Sequence, residues 1–400
     1  MSAPSVREGG YSGRVSPGTP IGAVAFLGVV IVSLGGPLAL AALYAPSIVA
    51  DASASAGLVM VAAAVVFGVP LLVWLRYSRE VATPGGLFGF VEAAAGRRAA
   101  LVQGWLWVAS YLLYVVYTTA SIVYDTLPAV LPGIRPYRPL VEVLLPIVLA
   151  VVMLAGRAVT LAVIGLLAAG QMILVVVLAA ITIGHDSPAS SFGAHASNGS
   201  IGRATVQTAL LFVCGSLPLF LGGEVARPTR TVRRGLVTGY LLVVVGIVAT
   251  VFPLAANPAF TRAAIPGMSV ARVFSGHPLA VTVGLGVAAS VAGVMLVEFL
   301  ALSRLLPVIT GRSTGLVVVV LAVLLVAAGP ISLINPDAFY DGLLKPSLVA
   351  LWLSQLVVFL VYPRFAAHRG WNRTINGALA LGGSAFAVYG IYATFQHAST

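Results

Sequence analysis

The chain has 400 residues, of which only 33 are charged (22 basic and 11 acidic), against 60% hydrophobic residues and a mean hydropathy of +1.05. Soluble domains carry about 25% charged residues, so this composition cannot build a water-facing surface. With one Cys and 43 aperiodic Gly it also excludes a disulfide scaffold and a collagen-like repeat. What remains is an all-α polytopic protein that takes the lipid bilayer as its solvent.

In chain order, residues 1–20 read as a polar, disordered, cytoplasmic tail rich in Gly, Ser and Pro. The run from Ile21 to Ile48 is too long for a signal-peptide core and has no clean cleavage site after it, so it is the first membrane helix. Further apolar runs follow at 55–76, 99–131, 140–156, 158–184, 203–225, 235–256, 277–306, 315–334, 346–363 and 374–396. That gives about 11 spans, each near the ~20 residues a bilayer requires. The two runs flanking Arg157 are split because about 45 residues exceed one span. The spans divide as a first repeat over 21–184, a second repeat over 203–363, and an extra C-terminal helix over 374–396.

The net charge of +11 invites a nucleic-acid reading, but the basic residues, all Arg except Lys345, are scattered between apolar runs and form no patch. Their distribution instead orients the chain. With the N-terminus cytoplasmic, 16 of the 22 basic residues fall inside and 6 outside, the asymmetry expected of a multi-pass protein of the cytoplasmic membrane. An odd span count puts the C-terminus outside. The connections at 185–202 and 335–342 then face outward, with Lys345 in a loop.

Two spans are interrupted. The first reads VSLGGPLAL, with Gly35, Gly36 and Pro37 in mid-span; the sixth reads FVCGSLPLFLGG, with Gly215, Ser216 and Pro218. Proline removes a backbone donor and clashes with the preceding turn. Two ordinary proline kinks are the plain alternative. The breaks lie five spans apart, however, at matching places in two halves, which points to an inverted-repeat transporter with a site near the midplane. Half-helix N-termini would face an anionic group and freed carbonyls a cation.

Three stretches resemble the amino acid–polyamine–organocation superfamily, the amino acid permeases. These are the break Leu34-Gly35-Gly36-Pro37-Leu38, the run TPGGLFGFVEAAAGRRAALVQGWLWVASYLLY from Thr83 to Tyr114, and FLGGEVARPTRTVRRGL from Phe220 to Leu236. In the third, the most specific of them, Arg227 replaces the family's usual Asn before Pro228. The family's twelfth span has no counterpart. The resemblance implies the five-plus-five inverted-repeat fold of the leucine-transporter type. It also implies a substrate whose α-carboxylate and α-amino groups are held by the broken segments. In this chain those are Ser33, Leu34, Gly35, Gly36, Pro37 and Leu38, and Val213, Cys214, Gly215, Ser216 and Leu217. Phe220 falls where such permeases place a bulky gate. Some proton-coupled members carry a lysine in span 5, where this chain has Gln171. Sodium-coupled relatives use hydroxyls in span 8, where Ser290 and Ser303 stand.

Several side chains carry two readings. Trp107, Tyr111 and Tyr114 share one face of span 3, extended by Thr118, and either pack the bundle or wall the substrate cavity. Glu298 is the deepest carboxylate; it is either a protonatable coupling site or a partner of Arg304 or another cytoplasmic Arg. Glu224, with Arg227 and Arg230, is expected to form a cytoplasmic charge cluster that latches the inner gate. Ser290 is the candidate ligand for a coupling cation. The five His lie in loops or at span ends and make no metal site. No enzyme or cofactor motif is present. The expected partners are an amino acid or related small amine, a coupling H+ or Na+, and the lipid bilayer, with no nucleic acid. The sequence therefore reads as a secondary transporter working by alternating access. The alternative is a non-transporting sensor or assembly subunit on a permease scaffold.

Overall fold

The computed structural model describes residues 19–185 and 188–396. The tail expected at 1–20 thus lies almost wholly outside the described residues. Among those residues the molecule is helical, apart from a parallel β-bridge between Ile21 and Val225. Eleven helices among the described residues are long and apolar enough to cross a bilayer. They are numbered here as spans 1 to 11: Ala23–Ile48, Ala50–Tyr77, Arg97–Val130, Pro132–Leu154, Arg157–His185, Asn198–Leu221, Pro228–Leu254, His277–Thr310, Thr314–Ile331, Gly342–Ala367 and Arg373–Gln396. Helices dominate because a helix satisfies its own backbone hydrogen bonds, which lipid cannot do.

Two expectations shift. Span 10 belongs to a helix that begins at Pro336, ten residues before the expected start. Pro336 occupies a first-turn position where its missing N–H costs nothing, and Phe339 N–H bonds to Asn335 O at 3.0 Å. The expected 335–342 loop is therefore mostly helix, and Lys345 lies on that helix rather than in a loop. Span 6 is not continuous either. It runs as α-helix over Asn198–Leu210, turns, and finishes as a 3-10 helix over Val213–Leu221.

The halves repeat a local device. A short helix, Leu87–Ala95, precedes span 3, and another, Pro266–Ser275, precedes span 8. Each ends at a glycine in backbone open essentially to glycine alone: Gly96 at φ 84°, ψ 173° and Gly276 at φ 88°, ψ −179°. The two glycines are 180 residues apart (276 − 96), and the same interval separates Gly35 from Gly215 (215 − 35).

Span 1 is buried among spans 5, 7 and 8. Its approach to span 7 depends on small residues. A Cβ at Gly239 would lie 2.5 Å from Val30 Cγ1, and one at Gly235 would lie 2.6 Å from Phe26 Cδ1. Membrane helices associate through such close backbone packing. Gly239→Leu is therefore expected to cost about 1–3 kcal/mol by overpacking, read as a lower melting temperature of the purified protein in detergent. An unchanged melting temperature would contradict this contact.

Candidate functional site

The two interruptions are real and they touch. Span 1 is helical to Ser33, breaks over Leu34-Gly35-Gly36, and resumes with Pro37 in its first turn. Gly35 and Gly36 take φ of 83° and 69°, a region that favours glycine. Pro37 has no N–H, so Ser33 O loses the donor it would meet in a continuous helix. The facing break begins at Leu211, and a Cβ on Gly35 would lie 2.8 Å from Leu211 O. A Cβ on Gly215 would in turn lie 2.8 Å from Leu34 Cδ2. Gly35 cannot be enlarged without moving backbone of the other segment, and enlarging Gly215 would displace the Leu34 side chain.

A cavity of about 640 Å³ ends on this junction. Gly35, Val213, Cys214, Tyr114 and Val294 line its deep part, while Ile48, Lys345 and Thr394 stand at the opposite end. Its volume falls in the range of small-molecule sites. Of the expected substrate residues, Gly35, Val213, Cys214 and Tyr114 line the cavity. The others are packed behind it. Ser33 Oγ donates to Val30 O of its own helix at 2.8 Å. Ser216 Oγ donates to Val213 O and accepts from Gln355 Nε2, both at 3.3 Å. Leu34, Pro37, Leu38 and Leu217 are buried as packing, and Gly36 and Gly215 provide the close approaches. Span 11 was not expected at the site, yet Gly390, Ala393 and Thr394 form part of the wall. Its composition alone reads as a plain lipid-facing helix.

The other end of the junction is closed by two layers. Tyr111 lies one turn below Tyr114, against Trp107, with ring centroids 4.2 Å apart; Trp107 packs on Phe220, also at 4.2 Å. Phe220 is fully buried and abuts Gly86, where a Cβ would lie 2.7 Å from the ring. Pro84 rests on Gly223 in the same way, also at 2.7 Å. The Thr83–Tyr114 and Phe220–Leu236 stretches thus meet at this aromatic layer. Of the span 3 aromatics, Tyr114 lines the cavity, and Trp107 and Tyr111 pack beneath it.

The second layer is ionic, with partners other than those expected. Glu224 is buried and binds Arg157 of span 5 at 2.9 Å and Arg304 of span 8 in a close pair. Arg227 and Arg230 are exposed. Arg227 instead adopts φ 52° and starts the next helix, where the Asn of the resemblance would sit with less strain. Arg157 also donates to Thr19 O at 2.6 Å, and Ile21 pairs with the segment after span 6 through Ile21 N–H to Glu224 O at 2.8 Å. This cluster therefore joins spans 5 and 8 and the segment after span 6 with the lead into span 1.

Ser290 is engaged on two sides. Its hydroxyl donates to Gln171 Oε1 at 2.7 Å and accepts from Ala39 N–H at 3.2 Å. A Cβ on Gly36 would lie 2.5 Å from it. Glu298 is fully buried, and the expected pair with Arg304 does not form, because Arg304 is taken by Glu224.

No family model and no curated protein matches this chain. Solved structures do. MhsT in complex with L-phenylalanine superposes with a TM-score of 0.63 at 14% identity, over 92% of this chain and 98% of that one. A Na+-coupled sialic acid symporter in a substrate-bound outward-open state superposes with a TM-score of 0.59 at 12% identity, over 94% and 90%. The fold is thereby the five-plus-five inverted-repeat fold of the leucine-transporter type.

Cys214 is the only cysteine of the chain and lines the cavity. A membrane-impermeant maleimide is expected to label it from the Lys345 side and not from the Arg157 side, read by mass spectrometry in sided vesicles. Labelling solely from the Arg157 side would reverse the assignment of open and closed ends.

Proposed function

We propose that the chain is a secondary transporter that moves an amino acid or a related small amine by alternating access. It would belong with the amino acid permeases of the amino acid–polyamine–organocation superfamily, whose motif stretches it resembles. The observation that carries this reading is a cavity open at one end whose floor is the meeting of two broken helices. Freed backbone groups at such breaks suit a zwitterion, since N–H groups take its carboxylate and carbonyls its ammonium. The neighbours' substrates, phenylalanine and sialic acid, are both small carboxylates, which agrees with this chemistry.

The excess of arginine on the side bearing Arg157 and Arg304 makes that side cytoplasmic. The conformer then has its cavity open outward and its inner end shut by Phe220, Trp107 and the Glu224 latch. The inverted halves would run over 21–184 and 203–363, with 374–396 added as span 11. Opening would require the ion pairs of Glu224 to separate and the aromatic layer to part. Ligand capture at the breaks would bias that equilibrium through its differential affinity for the two states.

Proteoliposome uptake with the twenty common L-amino acids tests the reading. Saturable flux of at least one is expected. Binding without flux would point to a sensor, and neither binding nor flux, in protein shown to be folded, would refute it. Gly36→Leu, which drives a side chain into Ser290 and strains a backbone at φ 69°, is expected to abolish uptake while the protein still inserts in the membrane. Unchanged uptake would displace the site from the breaks.

A further inference from the structure

Glu298 is a carboxylate for which the transport cycle outlined above has no role. It sits on span 8 one turn beyond Val294, which lines the deep end of the cavity. It is fully buried, and neither of its oxygens has a protein hydrogen-bond partner. An ionised carboxylate buried without hydrogen bonds or a counter-charge is strongly disfavoured, so the geometry around Glu298 accommodates the neutral acid. The titratable groups that face it are Tyr111 and Tyr114 of span 3 and Cys214 of the second break. None of these brings a positive charge. The nearest cation along its own helix is Arg304, six residues or about 9 Å further on, and Arg304 is held by Glu224.

We propose that Glu298 is the proton-coupling site of this transporter, loaded from the cavity past Tyr114 and Cys214 and unloaded when the Glu224 latch releases Arg304. The proposal rests on the transport reading and names its coupling ion. In the closed-latch conformer a proton from cavity water bonds to a Glu298 oxygen and the acid is neutral. When the latch opens, Arg304 loses Glu224 and water reaches the closed half. The carboxyl O–H then breaks, the proton passes to that water, and the carboxylate gains a counter-charge. Glu224 and Glu298 thus alternate as partners of one guanidinium.

Two other occupants of this place fit less well. A sodium ion needs a cage of oxygens, and Glu298 is faced by two phenols and a thiol. The other candidate ligand, Ser290, turns its proton to Gln171 and one lone pair to Ala39 N–H, which leaves a single lone pair for an ion. A substrate ammonium would need Glu298 to line the cavity, and Tyr114, Cys214 and Val294 line it instead.

Infrared difference spectra of the purified protein between alkaline and acid pH test the site without a substrate. A protonated-carboxyl band that disappears in Glu298→Gln and persists, shifted, in Glu298→Asp is expected. Identical bands in wild type and Glu298→Gln would overturn the proposal. In proteoliposomes, wild-type uptake of the best amino acid from the panel should be driven by an inward proton gradient with sodium replaced by choline. A gradient of one pH unit supports about tenfold accumulation for one proton per substrate. Glu298→Gln, shown to be folded by its melting curve, should lose that accumulation, and Glu298→Asp should restore part of it. Wild-type uptake that follows a sodium gradient and ignores the proton gradient would overturn the proposal while leaving transport established. So would loss in Glu298→Gln of cationic substrates alone. Absence of any flux would refute the transport reading, and the infrared band would still decide whether Glu298 is a proton site.

Discussion

Backbone at membrane depth must find a partner, and everything at the centre of this protein follows from that constraint. A helix satisfies the requirement alone; a broken helix does not. The breaks in spans 1 and 6 are tolerable because each is covered by the other: Gly35 lies on Leu211, and Gly215 on Leu34. Ser290 closes one further gap by accepting the N–H of Ala39. The glycines are needed for two reasons at once. They reach positive φ at Gly35 and Gly36, and they leave no side chain between the segments. The same junction floors the cavity, so the feature that would be a defect in a structural bundle is here the place where polar backbone meets a ligand-sized space.

The two ends of the junction are built from different physics. The open end is lined mainly by apolar side chains with Lys345 and Thr394 far from the floor. The closed end packs tilted aromatic rings against one another and then adds a carboxylate between two guanidiniums. Aromatic contacts of this kind contribute about 0.5–1.5 kcal/mol each beyond area burial. A buried ion pair contributes less to net stability than its geometry suggests, but removing one partner costs about 3–5 kcal/mol. Such a closure is switch-like: intact it is stable, and with one member displaced it is strongly disfavoured. Its members come from spans 3, 5, 6 and 8 and from the β-bridged lead into span 1, so opening moves several elements together.

Much of this was legible in the chain because local chemistry carried it. Runs of Leu, Val and Ala set the eleven spans, and Gly-Gly-Pro and Gly-Ser-x-Pro marked the breaks. Phe220 was picked out by the family resemblance, and the structure packs it on Trp107. What stayed hidden depended on pairings between distant segments. Glu224 has Arg227 and Arg230 as sequence neighbours, yet its partners are Arg157 and Arg304. The helix-start geometry at Arg227 turns the chain away, and the arginines of spans 5 and 8 arrive from elsewhere. The bond from Ser290 to Gln171 joins spans 8 and 5, a pairing that neither local sequence shows. Span 11 showed no polar stripe to betray that small residues at 390 and 393 would wall a cavity.

The central claim is that a zwitterion is held by backbone at the two breaks and not by charged side chains. A structure of the protein with its transported amino acid bound tests this most directly. The carboxylate is predicted within hydrogen-bond distance of the backbone N–H of Gly35, which lines the cavity, and the ammonium beside carbonyls of the two broken segments. Ligand density held instead at Lys345 or against Arg157 and Glu224, with the breaks untouched, would contradict it.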